Sequence, residues 1–208
     1  MKILGHRGKW YHPKEKNSLE AVKLCLESGF GIETDIRDHQ GEIVISHDPP
    51  MGKIILLSDF LKFAQGKNLI LALNIKSDGL SAKLKTLLDN FKIEEYFTFD
   101  MSIPELIKQT DHGLKVFTGV SEINPNPILI NNCQGIWLDG FFSDWYSNKE
   151  IEYFLSHDKK ICLVSPELHN RNHLLQWKTL KESNLHRNEN VILCTDYPEQ
   201  AKIFFDYD

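Results

Sequence analysis

The chain is poor in cysteine and has no long apolar run, no dominant charge and no glycine- or proline-rich tract. Its four cysteines, Cys25, Cys133, Cys162 and Cys194, form no CxxC pair. A chain of 208 residues needs no disulfide framework, and Cys162 and Cys194 lie inside apolar runs, so buried free thiols are expected. No run approaches the roughly 18 apolar residues of a membrane span. With 24 Lys plus Arg against 29 Asp plus Glu, the net charge is −5, and there is no basic block. That excludes a general nucleic-acid binder, which meets phosphates with a positive surface. Met1-Lys2-Ile3-Leu4 is too short for the apolar core of a signal peptide, so a cytoplasmic location is expected.

What is present is an ordinary globular composition, 41% hydrophobic and 25% charged. Eight short apolar runs read as strands: Lys2 to Leu4, Ile32 to Ile36, Leu69 to Ile75, Tyr96 to Phe99, Val116 to Val120, Gly135 to Leu138, Ile161 to Val164 and Val191 to Cys194. They are mostly continuous rather than alternating, the pattern of strands covered on both faces. Helix signals lie between them. Asn17-Ser18-Leu19-Glu20 and Ser147-Asn148-Lys149-Glu150 read as capping boxes and Ser102-Ile103-Pro104-Glu105 as another cap, Ser58-Asp59 precedes a short amphipathic stretch, and Leu80 to Asn90, Asn172 to Lys181 and Pro198 to Phe205 complete the set. The fifth connection, Glu122 to Gln134, is too rich in proline for a long helix. The alternation predicts a single (β/α)8 TIM barrel over residues 1–208, with a minimal or absent insertion. An open doubly wound sheet shares the alternation, but the strand count favours the barrel.

In a parallel α/β barrel the active site forms at the carboxyl ends of the strands. Polar residues stand there repeatedly: His6-Arg7, Glu33-Thr34-Asp35, Asn74-Ile75-Lys76, Asp139, Ser165-Pro166-Glu167 and Thr195-Asp196. Glu33 and Asp35, two apart on a strand, face the same way. With Asn74 they make an oxygen-only set, suited to Mg²⁺ or Ca²⁺; a salt-bridged polar layer with Arg7 and Lys76 is the other reading. Of nine histidines, His12, His39, His112, His157 and His186 lie in loop-like context, as do His169 and His173. His6 differs because it ends an apolar strand between two glycines, and His47 because Glu42 to Ser46 leads a return strand into His47-Asp48-Pro49-Pro50. Two histidines beside a cation site suit acid–base cleavage of a charged ester.

Gly5-His6-Arg7-Gly8, Asn17-Ser18-Leu19-Glu20-Ala21, Gly31-Ile32-Glu33-Thr34-Asp35-Ile36 and His47-Asp48, in that order, resemble the opening pattern of the glycerophosphodiester phosphodiesterase family, within the phosphatidylinositol-phospholipase-C-like barrels. Thr195-Asp196-Tyr197-Pro198 is similar to the family's last-strand ending. The resemblance implies that His6 and His47 are the general acid and base, that Arg7 and Lys76 hold the substrate phosphate, and that Glu33, Asp35 and Asn74 bind a divalent cation, Mg²⁺ or Ca²⁺. It further implies a small-molecule glycerophosphodiester substrate, cleaved to an alcohol and a phosphomonoester.

The chain departs from the pattern in three places. Asn74 stands where the family has a third carboxylate, which removes one negative charge from the cation site. Only about 25 residues, Pro49 to Leu73, fill the stretch where the family carries an insertion. Lys16 replaces a glutamate before the first helix cap. Asp139, Glu167 and Trp145 are further candidates for substrate contact, while Phe141, Phe142 and Trp145 also suit packing under the rim. Two alternatives follow: a non-catalytic phosphate-ligand binder, or a metal-free lyase forming a cyclic phosphate. A zinc amidohydrolase lacks its His-x-His at the first strand.

Overall fold

The computed structural model describes residues 1–206. In chain order its elements are β1 (Lys2–His6), α1 (Leu19–Glu27), β2 (Gly31–His39), β3 (Glu42–Ile45), α2 (Leu57–Ala64), β4 (Leu71–Ile75), α3 (Ser81–Asn90), β5 (Tyr96–Phe99), α4 (Ile103–Asp111), β6 (Phe117–Val120), β7 (Gly135–Leu138), α5 (Asn148–Ser156), β8 (Lys160–Val164), α6 (Leu174–Glu182), β9 (Val191–Thr195) and α7 (Pro198–Asp206). With β3 set aside as the return arm of a hairpin, eight strands alternate with seven α-helices. The fold is of the (β/α)8 TIM-barrel class, and among the described residues no insertion domain interrupts it. The fifth connection holds only a 3₁₀ turn, Ile130–Asn132, where Pro125 and Pro127 preclude a longer helix.

The chain forms two compact units, His6–Val116 and a second made of Met1–Gly5 with the chain from Phe117 onward. In the first, β2 pairs in parallel with β4, and β4 with β5, with Asp35 opposite Asn74 and Asn74 opposite Phe99. The strand expected over Ile32 to Ile36 runs on to His39. Gln40 and Gly41 both adopt positive φ, 49° and 80°, the two-residue turn that matches strand twist, and β3 folds back antiparallel to β2. In the second unit, Lys2–Gly5 pairs with β9, followed by β8, β7 and β6, all parallel. Ile136, Leu138, Ile161, Leu163, Leu193 and Trp177 are buried in its core. Trp177 thus sits in the interior as its helical spacing predicts.

Side-chain caps set three of the seven helix starts. Ser18 accepts from the Ala21 N–H and Ser102 from the Glu105 N–H, while Ser147 and Glu150 form a reciprocal box. The first cap is therefore Ser18 and not the expected Asn17–Glu20 box, and it is one-sided because its third helical residue is Ala21, which has no carboxylate to return the bond. α2 begins at Leu57, ahead of the expected Ser58, and has no side-chain cap. Its start is set by burial, since Leu57, Phe60 and Leu61 are wholly covered and each such side chain contributes about 1.5–3 kcal/mol. His186, expected in a loop, is a core histidine, with Nδ1 3.3 Å from Leu180 O and its ring stacked on Phe205. All four cysteines are free and buried.

Candidate active site

Within the His6–Val116 unit, the ends of β1, β2 and β4 bring five of the anticipated residues, His6, Arg7, Glu33, Asp35 and Lys76, into a chain of contacts, with Asn74 opposite Asp35 in strand register. β1 ends at His6, and the backbone turns at Arg7 with a left-handed φ of 60°. A non-glycine residue adopts this only where its surroundings hold it. Here the Arg7 N–H donates to Glu33 O at 2.8 Å and approaches Glu33 Oε2 at 3.2 Å, and Arg7 O accepts from the Asn17 N–H. Gly8 follows at φ 102°, so close to α1 that a Cβ would lie 2.8 Å from the Ala21 backbone. The sequence Gly-His-Arg-Gly is therefore a packing requirement as well as a chemical one: only glycine at position 8 lets the turn sit on α1.

Asp35 is the hub. It is fully buried, and Arg7 Nε lies 2.8 Å from its Oδ2, an ion pair whose angle is too poor for a hydrogen bond. Lys76 Nζ is 3.5 Å from Oδ1. Asn17, at φ 63°, donates from Nδ2 to Asp35 Oδ2 at 2.9 Å and accepts at Oδ1 from Thr34 Oγ1. Asn17 reads in the sequence as the opening of a capping box and of the Asn17–Ala21 motif, and its part in fixing Asp35 is visible only in three dimensions. Glu33, also buried, lies 3.8 Å through Oε2 from His6 Nε2. Burial, then the neighbouring Asp35 carboxylate, pushes the Glu33 carboxyl up to about 8 against the opposing pull of Arg7 and Lys76.

His47 enters differently. The Ser46 N–H donates to Asp35 O, and Arg37 Nη1 donates to His47 O, so the backbone at the end of the hairpin is tied to the end of β2. The His47 imidazole itself is exposed and pairs through Nδ1 with Asp48 Oδ1 at 3.0 Å.

Among the described residues no group of three His, Cys, Asp or Glu side chains is placed to hold a metal ion. The reason is Asn74, an amide standing with only two carboxylates. The oxygens nonetheless fit a hard cation: Asn74 Oδ1 is buried and accepts no hydrogen bond, and Asp35 Oδ1, also buried, accepts none and has the Lys76 ammonium 3.5 Å away. A buried acceptor without a donor is costly, and Mg²⁺ or Ca²⁺ would satisfy oxygen ligands of this kind.

Asp139, Glu167 and Trp145 belong to the other unit. Asp139 Oδ1 accepts from the Gly140 N–H and lies 2.8 Å from His169 Nε2. That hydrogen bond is the main cause of an upward shift in the His169 pKa. Trp145 Nε1 donates to Asp139 O, and Glu122 accepts from the N–H groups of Phe141, Phe142 and Ser143, so this loop is internally braced. Glu167 is engaged by the hydroxyls of Ser165 and Thr195 and by the Asp196 N–H, with His173 Nδ1 3.7 Å away. A cavity of about 430 Å³ in this unit is lined by Tyr146, Ile151, Val164, Arg171, Gln176 and Leu180, none of which is an anticipated site residue.

No family model and no curated protein sequence matches the chain. Solved structures do. A protein from Galdieria sulphuraria described as a glycerophosphodiester phosphodiesterase matches with a TM-score of 0.76 at 18% identity, over 99% of this chain and 97% of its own. The glycerophosphodiester phosphodiesterase from Agrobacterium tumefaciens matches with 0.73 at 15%, over 99% of each chain. A Ca²⁺-dependent phosphatidylinositol-specific phospholipase C from Streptomyces antibioticus matches with 0.59 at 8%, over 98% of this chain and 96% of its own. Over its whole length the chain is similar to glycerophosphodiester phosphodiesterases and to a phosphatidylinositol-specific phospholipase C, and the likeness is one of fold.

Proposed function

We propose that this chain is a phosphodiester hydrolase acting on a glycerophosphodiester-like small molecule, releasing an alcohol and a phosphomonoester. The observation that carries the reading is the arrangement at Asp35, where two cationic side chains and an adjacent carboxylate meet at strand ends beside His6. Arg7 and Lys76 are the groups to hold the nonbridging oxygens of an anionic substrate, the first through a planar fork and the second as a point charge. Glu33, Asp35 and Asn74 would hold a divalent cation, which when bound supplies further positive charge against the phosphate in the transition state.

His6 and His47 divide the proton transfers. One takes the proton of an attacking water as the new P–O bond forms, and the other gives a proton to the departing alkoxide as the old P–O bond breaks. Asn17 holds Asp35 in place, and Glu167 braces the ends of β8 and β9. The pairing of both Arg7 and Lys76 with Asp35 puts two protein cations at the site, which favours a second reading, a metal-free lyase that uses the substrate's own hydroxyl and yields a cyclic phosphate.

Hydrolysis of glycerophosphodiesters with and without EDTA, followed by ³¹P NMR, tests these readings. Turnover that stops in EDTA and yields an open phosphomonoester supports the hydrolase. Turnover in EDTA with a cyclic product supports the lyase. His6→Ala and His47→Ala should each lower kcat by about 10²–10⁴-fold, and Glu33→Gln should abolish any cation dependence. Near-normal rates in either histidine variant would sink the assignment.

A further inference from the structure

Asp100 follows β5, a residue that neither motif nor periodicity singles out. Its φ is +63°, so the chain turns back at the strand end instead of running on. The register places Asp35, Asn74 and Phe99 side by side across β2, β4 and β5, and the turn after Phe99 brings Asp100 Oδ2 within 3.2 Å of Asn74 Nδ2. A carboxylate offers acceptors only, so the Asn74 amide must present its NH₂ to Asp100. Its carbonyl oxygen then faces the other way, where it is buried and accepts no hydrogen bond.

The alternative orientation shows what this achieves. Were the amide reversed, its NH₂ would be turned away from Asp100 and free to donate to a neighbouring acceptor such as Asp35 Oδ1, the second buried oxygen without a donor. Asp35 Oδ1 would then be satisfied by the amide N–H, with no call for a cation, while the amide oxygen would face the Asp100 carboxylate, which has no proton to give it. The Asp100 charge is also felt at Glu33, where it acts in the same direction as Asp35. Asp100 is exposed, so solvent screens that charge, and orientation of the amide is the stronger of its two effects.

We propose that Asp100 is a positioning residue: it turns the Asn74 carbonyl toward Glu33 and Asp35 and returns to the cluster the negative charge that an amide at position 74 removes. The inference rests on the cation site proposed above. Groups that orient metal ligands typically alter affinity by about 10–100-fold when removed.

The test is calorimetric titration of the full chain with Ca²⁺ and with Mg²⁺, each variant being melted in EDTA as a check on folding. Asp100→Asn should bind the cation at least about tenfold more weakly than wild type while melting no lower in EDTA, since an amide can still pair with Asn74. Asp100→Glu should recover part of the affinity. If Asp100→Asn fails to fold, Asp100→Ser takes its place in both backgrounds: with Asn74→Glu there is no amide to orient, so removing the Asp100 carboxylate should cost less affinity than it does with asparagine at 74. Wild-type affinity in folded Asp100→Asn, or equal losses in both backgrounds, overturns the role of Asp100 and leaves the cation site standing. No uptake by wild type overturns both.

Discussion

Two histidines, one ending β1 and one closing the 3₁₀ turn after β8, meet carboxylates in different ways. His6 lies 3.8 Å from a buried glutamate that is itself reluctant to ionise, whereas His169 lies 2.8 Å from Asp139 in a direct hydrogen bond. The second pair has a clear consequence for stability. The His169 pKa is raised above its unfolded value, so the pair contributes fully below about pH 6.5, the ordinary histidine value, and its contribution is lost as pH rises through the raised value. His169 is only half buried, so the effect is small. Thermal melts should show His169→Gln costing up to about 2–4 °C more at pH 5.5 than at pH 9; equal losses at both would refute the pairing. At this scale the sequence was partly legible. His6, Arg7, Glu33 and Asp35 could be singled out because they end apolar runs in a recognisable pattern. Asn17 could be read only as part of a helix-opening motif and Asp100 not at all, since the partners that give them meaning lie 18 and 26 residues away.

Among the elements, the start of α3 is the least obvious from sequence. Its N-cap position is Leu80, which supplies no side-chain acceptor. The missing cap comes from α4: buried Glu105 accepts from the N–H groups of Gly79, Leu80 and Ser81 and from Ser81 Oγ. This also explains why Ser102 and Glu105, spaced as a capping box, do not form one, because the glutamate is committed to the neighbouring helix. Strands and helix periods could be read locally, since burial on both faces leaves continuous apolar runs; a carboxylate that caps a different helix leaves no local trace. Glu105→Ala would strand several donors at once, and a loss of about 2–4 kcal/mol is expected. In a chain of this length that lowers Tm by roughly 5–15 °C, measurable by calorimetry. A melt within a degree of wild type would show that the cap is dispensable.

The whole molecule carries its four thiols inside. Cys25 Sγ donates to Gly31 O, and burial pushes the Cys133 thiol up to about 11, despite the attraction of Lys159. Thiolate is the reactive form, so an aromatic disulfide reagent at pH 8 should label the native chain slowly at all four positions. Denaturant should release all four together as the fold opens. One thiol reacting in seconds under native conditions would contradict the buried assignment. The sequence anticipates this, as it does the absence of a helix long and apolar enough to cross a membrane among the described residues.

The hairpin of β2 and β3 sets a rule of even numbers. His47 leaves the hairpin from a backbone that is fastened to Asp35, while the tip at Gln40 and Gly41 is exposed and is met by Lys83 Nζ, which donates to Gly41 O and to the Glu42 carboxylate. Side chains alternate from face to face along both arms, so one residue added to each arm moves the tip outward and leaves the fastened end as it was. A residue added to one arm alone turns every later side chain over and delivers the histidine to the wrong side. Growth in matched pairs is therefore free of consequence for the chemistry, and growth by ones is not. The arm could thus lengthen two residues at a time with His47 held where it is throughout.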